Sequence, residues 1–204
     1  MASTMAMLMF ISCCFGLAFA RLPVPLSFNT GSSSADGQTP EAVERWFRDV
    51  DPTATPRLTK IRFYYHENRV AANPTTVEIA RASSTGNSPT SFGSTMVIDD
   101  ALTISPDPDS ELVGRAQGIY SSASQEDMAF ILMFNVVFTS GEFAGSTLSI
   151  MARDPITKEF REPSILGGTG AFRLARGAIV THTYALDPAT LNAVVEYNLF
   201  VLHY

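Results

Sequence analysis

Cysteine is almost absent from this sequence. The 204-residue chain has two, Cys13 and Cys14, and both fall in an N-terminal apolar run. That run, Met5 to Leu17, is followed by the small-x-small pattern Ala18-Phe19-Ala20 and then by Arg21-Leu22-Pro23. Residues 1–20 read as a secretory signal peptide cut after Ala20. No Lys or Arg precedes the run, which leaves a short membrane anchor as the alternative, but the run is short for a bilayer. A secreted chain without disulfides must rest on its own core or on oligomerisation. The remainder is long enough to build a core.

Basic charge is also scarce. The net charge is −6, and every charged residue follows Ala20. Without a basic stripe to replace phosphate counterions, nucleic acid is excluded as a partner. No later apolar run reaches ~18 residues, so no membrane association is expected once the leader is removed. The single Asn-x-Thr sequence, Asn73-Pro74-Thr75, is blocked by its proline, and no N-glycan is expected. Gly-x-Ser-x-Gly, His-Glu-x-x-His and the phosphate-loop signature are missing. His66, His182 and His203 are isolated and have no cysteine nearby, so they are read as structural. No metal, nicotinamide or flavin cofactor is expected.

What the chain does contain is alternation. Residues 21–56 read as a flexible arm, rich in Ser, Gly, Pro, Asn and Thr as far as residue 40. Within it, residues 41–49 suit one or two helical turns, stopped by Pro52 and Pro56. The domain proper is placed at 57–204. Ile61, Phe63 and Tyr65 alternate with Arg62, Tyr64 and His66, a period of two. Similar runs follow at 76–82, 92–98, 112–121, 128–138, 145–153, 172–184 and 191–203. Short strands with hairpin-scale connections predict an all-β barrel or sandwich with antiparallel pairing. A closed barrel also removes exposed edges. The expectation is therefore an eight-stranded antiparallel β-barrel with a ligand pocket.

Two strands are apolar on both faces. Phe130, Leu132, Phe134, Val136 and Phe138 oppose Ala129, Ile131, Met133 and Val137, and the last strand sets Val195, Tyr197, Leu199 and Val201 against Val194, Phe200 and Leu202. If one face is core, the other needs cover, and a second copy of the chain is the simplest cover. A homo-oligomer is expected.

Several polar residues invite chemistry. Arg115, Arg176 and Glu196 sit mid-strand and are read as members of buried or interfacial ion pairs. Gly167-Gly168-Thr169-Gly170 lacks the strand-to-helix context of an anion site and reads as a tight turn with positive φ, leading into a strand from Phe172. Asp99 and Asp100, as neighbours in a strand, point to opposite faces and cannot share a proton; they read as a strand end feeding a turn. Glu67 ends the first strand and Asp154 the sixth, with Arg161 seven residues on. At one mouth of an antiparallel barrel these groups would meet. There a carboxylic acid has its pKa raised and can donate a proton, and an arginine can bind a phenolate. Ordinary surface charge at hairpin ends is the competing reading.

A family resemblance joins these pieces. Phe63-Tyr64-Tyr65-His66-Glu67, the block from Val97-Ile98-Asp99-Asp100 to Thr103, Val113-Gly114-Arg115-Ala116-Gln117-Gly118-Ile119-Tyr120, the run from Phe138-Thr139-Ser140-Gly141 to Ser149, Gly167-Gly168-Thr169-Gly170-Ala171-Phe172-Arg173, Ala175-Arg176-Gly177 and Val194-Val195-Glu196-Tyr197-Asn198 resemble the plant dirigent proteins in family order over about residues 58–204. Ala123-Ser124-Gln125 is similar to the branch with pterocarpan-forming members. The resemblance implies an allene-oxide-cyclase-like barrel, a homotrimer and secretion to the apoplast. It also implies stereoselective coupling or cyclisation of phenoxy-radical or quinone-methide intermediates, as from coniferyl alcohol in lignan biosynthesis. A separate laccase or peroxidase would make the radicals, and the protein would have no oxidase activity of its own. A lyase closing a pterocarpan ring from an isoflavanol, and a non-catalytic lignin scaffold, are the alternatives. No lectin domain is expected after Tyr204. Carried over by position, Glu67 stands where the family usually has Asp, Asp154 and Arg161 match a pocket acid and its arginine, and Tyr120 matches a pocket tyrosine. Glu67 and Asp154 are thus the catalytic candidates, and Arg161 and Tyr120 the substrate-binding ones. Ala101 and Ala152 depart from the family's usual Pro and Gly.

Overall fold

β-Branched and aromatic residues at period two become strands from Arg57 onward. The computed structural model describes residues 38–204; the expected signal peptide and residues 21–37 of the expected arm lie outside the described residues. A ten-residue helix, α1 (Pro40–Asp49), comes first. Thr39 caps its N-terminus by accepting from the Ala42 amide, and Pro40 fills the first turn, where a missing N–H costs nothing. Arg173 lies over the Trp46 ring of this helix, 5.6 Å from its centroid.

Nine strands follow: β1 (Arg57–Glu67), β2 (Thr76–Arg81), β3 (Ser94–Thr103), β4 (Leu112–Ser122), β5 (Ala129–Phe138), β6 (Thr147–Pro155), β7 (Ser164–Thr169), β8 (Arg176–Leu186) and β9 (Ala193–His203). They form one antiparallel sheet in the order β1-β9-β8-β7-β6-β5-β4-β3-β2, and a further pairing of β1 with β3 closes it. β1 takes the far end of β3 (Tyr64↔Thr103 to His66↔Ala101), while β2 takes the near end (Thr76↔Ile98 to Arg81↔Ser94). β1 and β2 thus share one position, and the ring is a closed barrel of eight staves.

The strand absent from the sequence expectation is β7. Gly167 and Gly168 belong to it rather than to a turn. A Cβ on Gly168 would lie 2.3 Å from the Thr147 carbonyl oxygen and 2.7 Å from Phe172 Cβ, so this glycine serves close approach. The positive φ falls two residues later, at Gly170 (φ +62°). The chain then makes a short 3-10 turn through Phe172, and β8 begins at Arg176 instead of Phe172. The expectation for Asp99-Asp100 is also corrected. β3 runs on to Thr103, because Ile98, Asp100 and Leu102 all face inward and the strand must continue to close the ring.

Inside, one end of the barrel is filled. Phe138, Phe143 and Phe172 pack with centroids 4.8 to 5.9 Å apart, over Leu148 and Val201. His203 packs 5.2 Å from Phe172 in the same end. Outside, Val77, Val97, Ile119, Met133 and Met151 stand opposite one another across β2 to β6 in a continuous row. Apart from Ile119, which is half-buried, they are 39–44% exposed. The row beside it is polar, with Gln117 donating to Asp99 and Ser149 to Asn135. Arg115 also belongs to the outer surface, paired to Asp99 at 2.5 Å and partly solvated. Arg176 is exposed. Neither arginine is buried in the barrel, because both side chains alternate outward from glycine or alanine neighbours that face in. Glu196 sits 3.4 Å from His182 on the same exterior.

Candidate functional site

Antiparallel strands bring alternate ends to one mouth, and here those ends remain unfilled. The C-terminal ends of β1, β4, β6 and β8 meet the N-terminal ends of β3, β5 and β9 around a cavity of about 310 Å³. Its walls are mainly apolar, with Met96, Ile98, Phe130, Leu132, Phe134 and Val195 among them. All four residues singled out from the sequence, Glu67, Tyr120, Asp154 and Arg161, line it. They form two separate stations.

At the first, one oxygen of Glu67 receives two hydrogen bonds, from Arg69 Nε (2.7 Å) and from the Tyr120 hydroxyl (2.5 Å). The Tyr120 oxygen in turn accepts from Arg69 Nη2 at 2.5 Å, which closes a ring of three bonds. The Tyr120 ring rests on Phe130 with centroids 4.9 Å apart. Burial raises the Glu67 pKa, opposed by the Arg69 charge and the Tyr120 bond. The Tyr120 phenol is pushed far up by burial and by the Glu67 charge beside it, so it stays protonated.

At the second, Asp154 comes one residue before the end of β6, and Arg161 is held by a backbone bridge to Thr181 of β8. Arg161 Nε lies 2.8 Å from Asp154 Oδ1, with the side chains 3% and 10% exposed. The N–H is not directed at the oxygen, so both atoms lack a hydrogen bond despite their contact. Arg161 Nη1 is committed to Thr183 Oγ1 at 3.0 Å. Burial raises the Asp154 pKa, opposed by the Arg161 charge and by its close polar contact with the carboxyl. Tyr197 stands between the stations electrostatically. Its phenol is raised by burial and by the charges of Asp154, Glu67 and Asp100.

A third carboxyl was passed over in the sequence. Asp100 is wholly buried and accepts from Tyr65 (2.5 Å), Thr76 (2.9 Å) and Thr75. Those donors come from β1 and from the start of β2, so Asp100 pins the seam where the two share a stave. Burial raises its pKa in spite of these bonds. Inward alternation from Ile98 would have found Asp100. Arg69 had no such signal, because it follows the last strand residue and reads as a loop.

Two of the three histidines are tied into the fold by polar contacts. His66 contacts Thr103 at 2.7 Å, and His203 contacts Thr59 at 2.9 Å and the Ala171 carbonyl at 3.0 Å. No cluster of metal-binding side chains occurs among the described residues.

An apolar barrel with acid–arginine stations at a single mouth has a cavity of the size and lining that suit a small molecule. The chain matches the family model described as Dirigent-like protein over residues 58–202, and it belongs to that family. It is 46% identical to Dirigent protein 1 of Arabidopsis thaliana over 147 residues, covering 72% of this chain and 80% of that one. It is 42% identical to Pterocarpan synthase 1 of Glycyrrhiza echinata over 164 residues, covering 78% and 87%. The solved structure of a pterocarpan synthase dirigent protein, 43% identical, superposes with a TM-score of 0.69 and covers 76% of this chain and 89% of its own.

Proposed function

We propose that the barrel binds a phenolic intermediate and closes a ring on it with one handedness, using a cavity carboxylic acid as proton donor. The observation that carries this reading is the pair of buried carboxyls, Glu67 and Asp154, each beside an arginine at the mouth of an apolar cavity of drug-like size. A cyclisation by water loss balances without an oxidant. The acid protonates a benzylic hydroxyl, the C–O bond breaks and water leaves. A phenolic oxygen on the same molecule then attacks the resulting benzylic cation, the protonated form of a quinone methide, and its proton returns to the carboxylate. An isoflavanol is the substrate class that fits, in keeping with the pterocarpan synthase relatives. The apolar walls hold one face of the intermediate, which supplies the orientation, and Arg161 would anchor a phenolic oxygen.

The second reading is the coupling of phenoxy radicals, such as those of coniferyl alcohol, made by a separate laccase or peroxidase. The dirigent relatives favour it. One panel separates the two. Purified protein with isoflavanols and no oxidase yields chiral product under the first reading alone. Coniferyl alcohol with laccase yields enantiomeric excess under the second. Racemic product in both arms would sink both readings and leave a scaffold role in the wall.

Secretion to the apoplast after cleavage at Ala20 belongs to the same proposal, and intact mass of the secreted protein tests it. So does a homotrimer, with the row from Val77 to Met151 as its buried face. Sedimentation of the unmodified protein as a stable monomer would contradict the trimer, and Met133→Lys should dissociate it.

A further inference from the structure

Both cavity carboxyls lie beside an arginine, yet their hydrogen bonding differs. Glu67 accepts two bonds on one oxygen. The paired oxygen of Asp154 accepts none, although Arg161 is in contact. The residue responsible for the difference is Arg69. Its backbone is fixed by a bond from its amide to Asn192 Oδ1 (2.8 Å), between β8 and β9. Its guanidinium divides between Glu67 and Tyr120 and lies 5.9 Å from the Tyr120 ring centroid. Tethered at both ends, it has one orientation to offer.

We propose that Arg69 is a positioning residue that assigns the two carboxyls their parts: it holds Glu67 as the ionised acceptor and leaves Asp154 to carry the donated proton. An ionised carboxyl is acceptor-only, which is the form that two donors on one oxygen select. A buried carboxyl whose paired oxygen receives no well-directed hydrogen bond is the better place for a proton. The groups acting on Glu67 are Arg69 in the loop after β1, Tyr120 of β4 and Asp100 of β3. Tyr65 of β1 and Tyr197 of β9 lie within range of its charge. Arg69 is the one cation in that group. Without it, Glu67 would face the negative charge of Asp100 with only Tyr120 as a donor, and would take up a proton of its own.

This inference rests on the acid-assisted reading for its catalytic meaning, but its test does not. Glutamate and aspartate carboxyl carbons can be labelled with ¹³C and titrated by NMR, with Glu67→Gln and Asp154→Asn assigning the two signals. Arg69→Met should raise the Glu67 midpoint by about 1–3 pH units and leave that of Asp154 where it was. Arg69→Lys should bring the Glu67 midpoint part of the way back. If Arg69→Met does not fold, Arg69→Gln makes the same test. An unmoved Glu67 midpoint in a folded charge-removing variant overturns the proposal, as does a parent protein in which Asp154 ionises before Glu67. Where a substrate turns over, the alkaline loss of stereoselective product should move to higher pH in Arg69→Met, since a second acid is then present. Failure of every substrate would count against the proposed reaction alone, because the NMR midpoints decide the part played by Arg69.

Discussion

At one end of the barrel Phe138, Phe143 and Phe172 pack ring against ring and leave no room. At the other the same staves carry Glu67, Tyr120, Asp154 and Arg161 around an open cavity. The strands are common to both, so the difference lies in which residues occupy the inward positions near each terminus. One end contributes stability through burial and tolerates no polar group without a partner. The other gives up burial and keeps charges whose desolvation is only partly offset. The stabilising half is thus physically apart from the half that holds the cavity, and substitutions in each should affect different measurements.

The largest separation is expected from Asp154→Asn. Removing a placed acid should cost roughly 10²–10⁴ in the rate of stereoselective product, with the fold retained by circular dichroism. Full stereoselectivity with normal binding would mean that shape alone does the work. Phe172→Ala at the closed end should do the reverse. It should cost about 3–5 kcal/mol in denaturant unfolding, while ligand binding in the surviving folded fraction is kept. Phe130→Ala, facing the cavity, should cost less than half as much stability but weaken binding, because its ring abuts space rather than close-packed neighbours.

Asp100→Ala tests the seam between the ends. Stranding the buried hydroxyls of Tyr65, Thr75 and Thr76 should cost about 3 kcal/mol, read as a lower midpoint in urea. An unchanged midpoint would show that the seam does not depend on this carboxylate.

Acid should move the two ends in opposite directions. Burial and the Arg57 charge lower the His203 pKa. The stability that neutral His203 contributes is present above its unfolded value of about 6.5 and is lost as pH falls through the lower folded value. Glu67 and Asp154 have raised pKa values, so their contribution is full below the unfolded carboxylate range and is lost as pH rises through the folded values. Hydrogen exchange, corrected for intrinsic rates, should show protection falling around His203 as pH drops towards the lower folded value, with no matching loss at the end of β6. The smallest effect is expected from Glu67→Asp. Shortening by one methylene should loosen the Arg69–Tyr120 ring and shift the product ratio modestly, without changing the unfolding midpoint.

Much of the barrel was legible because alternation is a local property. Inward Phe130, Leu132, Phe134, Val136 and Phe138 occupy the face that period two assigns them. β7 escaped because Gly167 and Gly168 look like punctuation. The role of Gly168 is to let two backbones and Phe172 approach, which no local pattern records. Asp154 and Arg161 were found by strand-end position and family likeness, and they do meet. Asp100 was misread because a pair of aspartates resembles a strand end until the donors opposite it are known. Those donors lie 24 to 35 residues away. Arg69 depends on the path of a loop, and loop paths follow from tertiary anchors such as Asn192.

The shared stave has a consequence for how such a barrel can change. The chain leaves the ring at Glu67 and rejoins it at Thr76, and the Asn68 carbonyl clamps the excursion by accepting from both the Thr75 and Thr76 amides, at 2.9 and 3.1 Å. Between those fixed points the loop bears no part of the ladder. Insertions or replacements there leave every inter-strand register as it was, since the hydrogen-bonded ring never passes through them. Yet Arg69, at its start, reaches Glu67 and Tyr120 inside the cavity. The fold therefore has a hinge point for variation: a segment exempt from the architecture but in contact with a cavity carboxyl, where the proposed part of Arg69 would let one substitution retune an acid without the barrel registering the change.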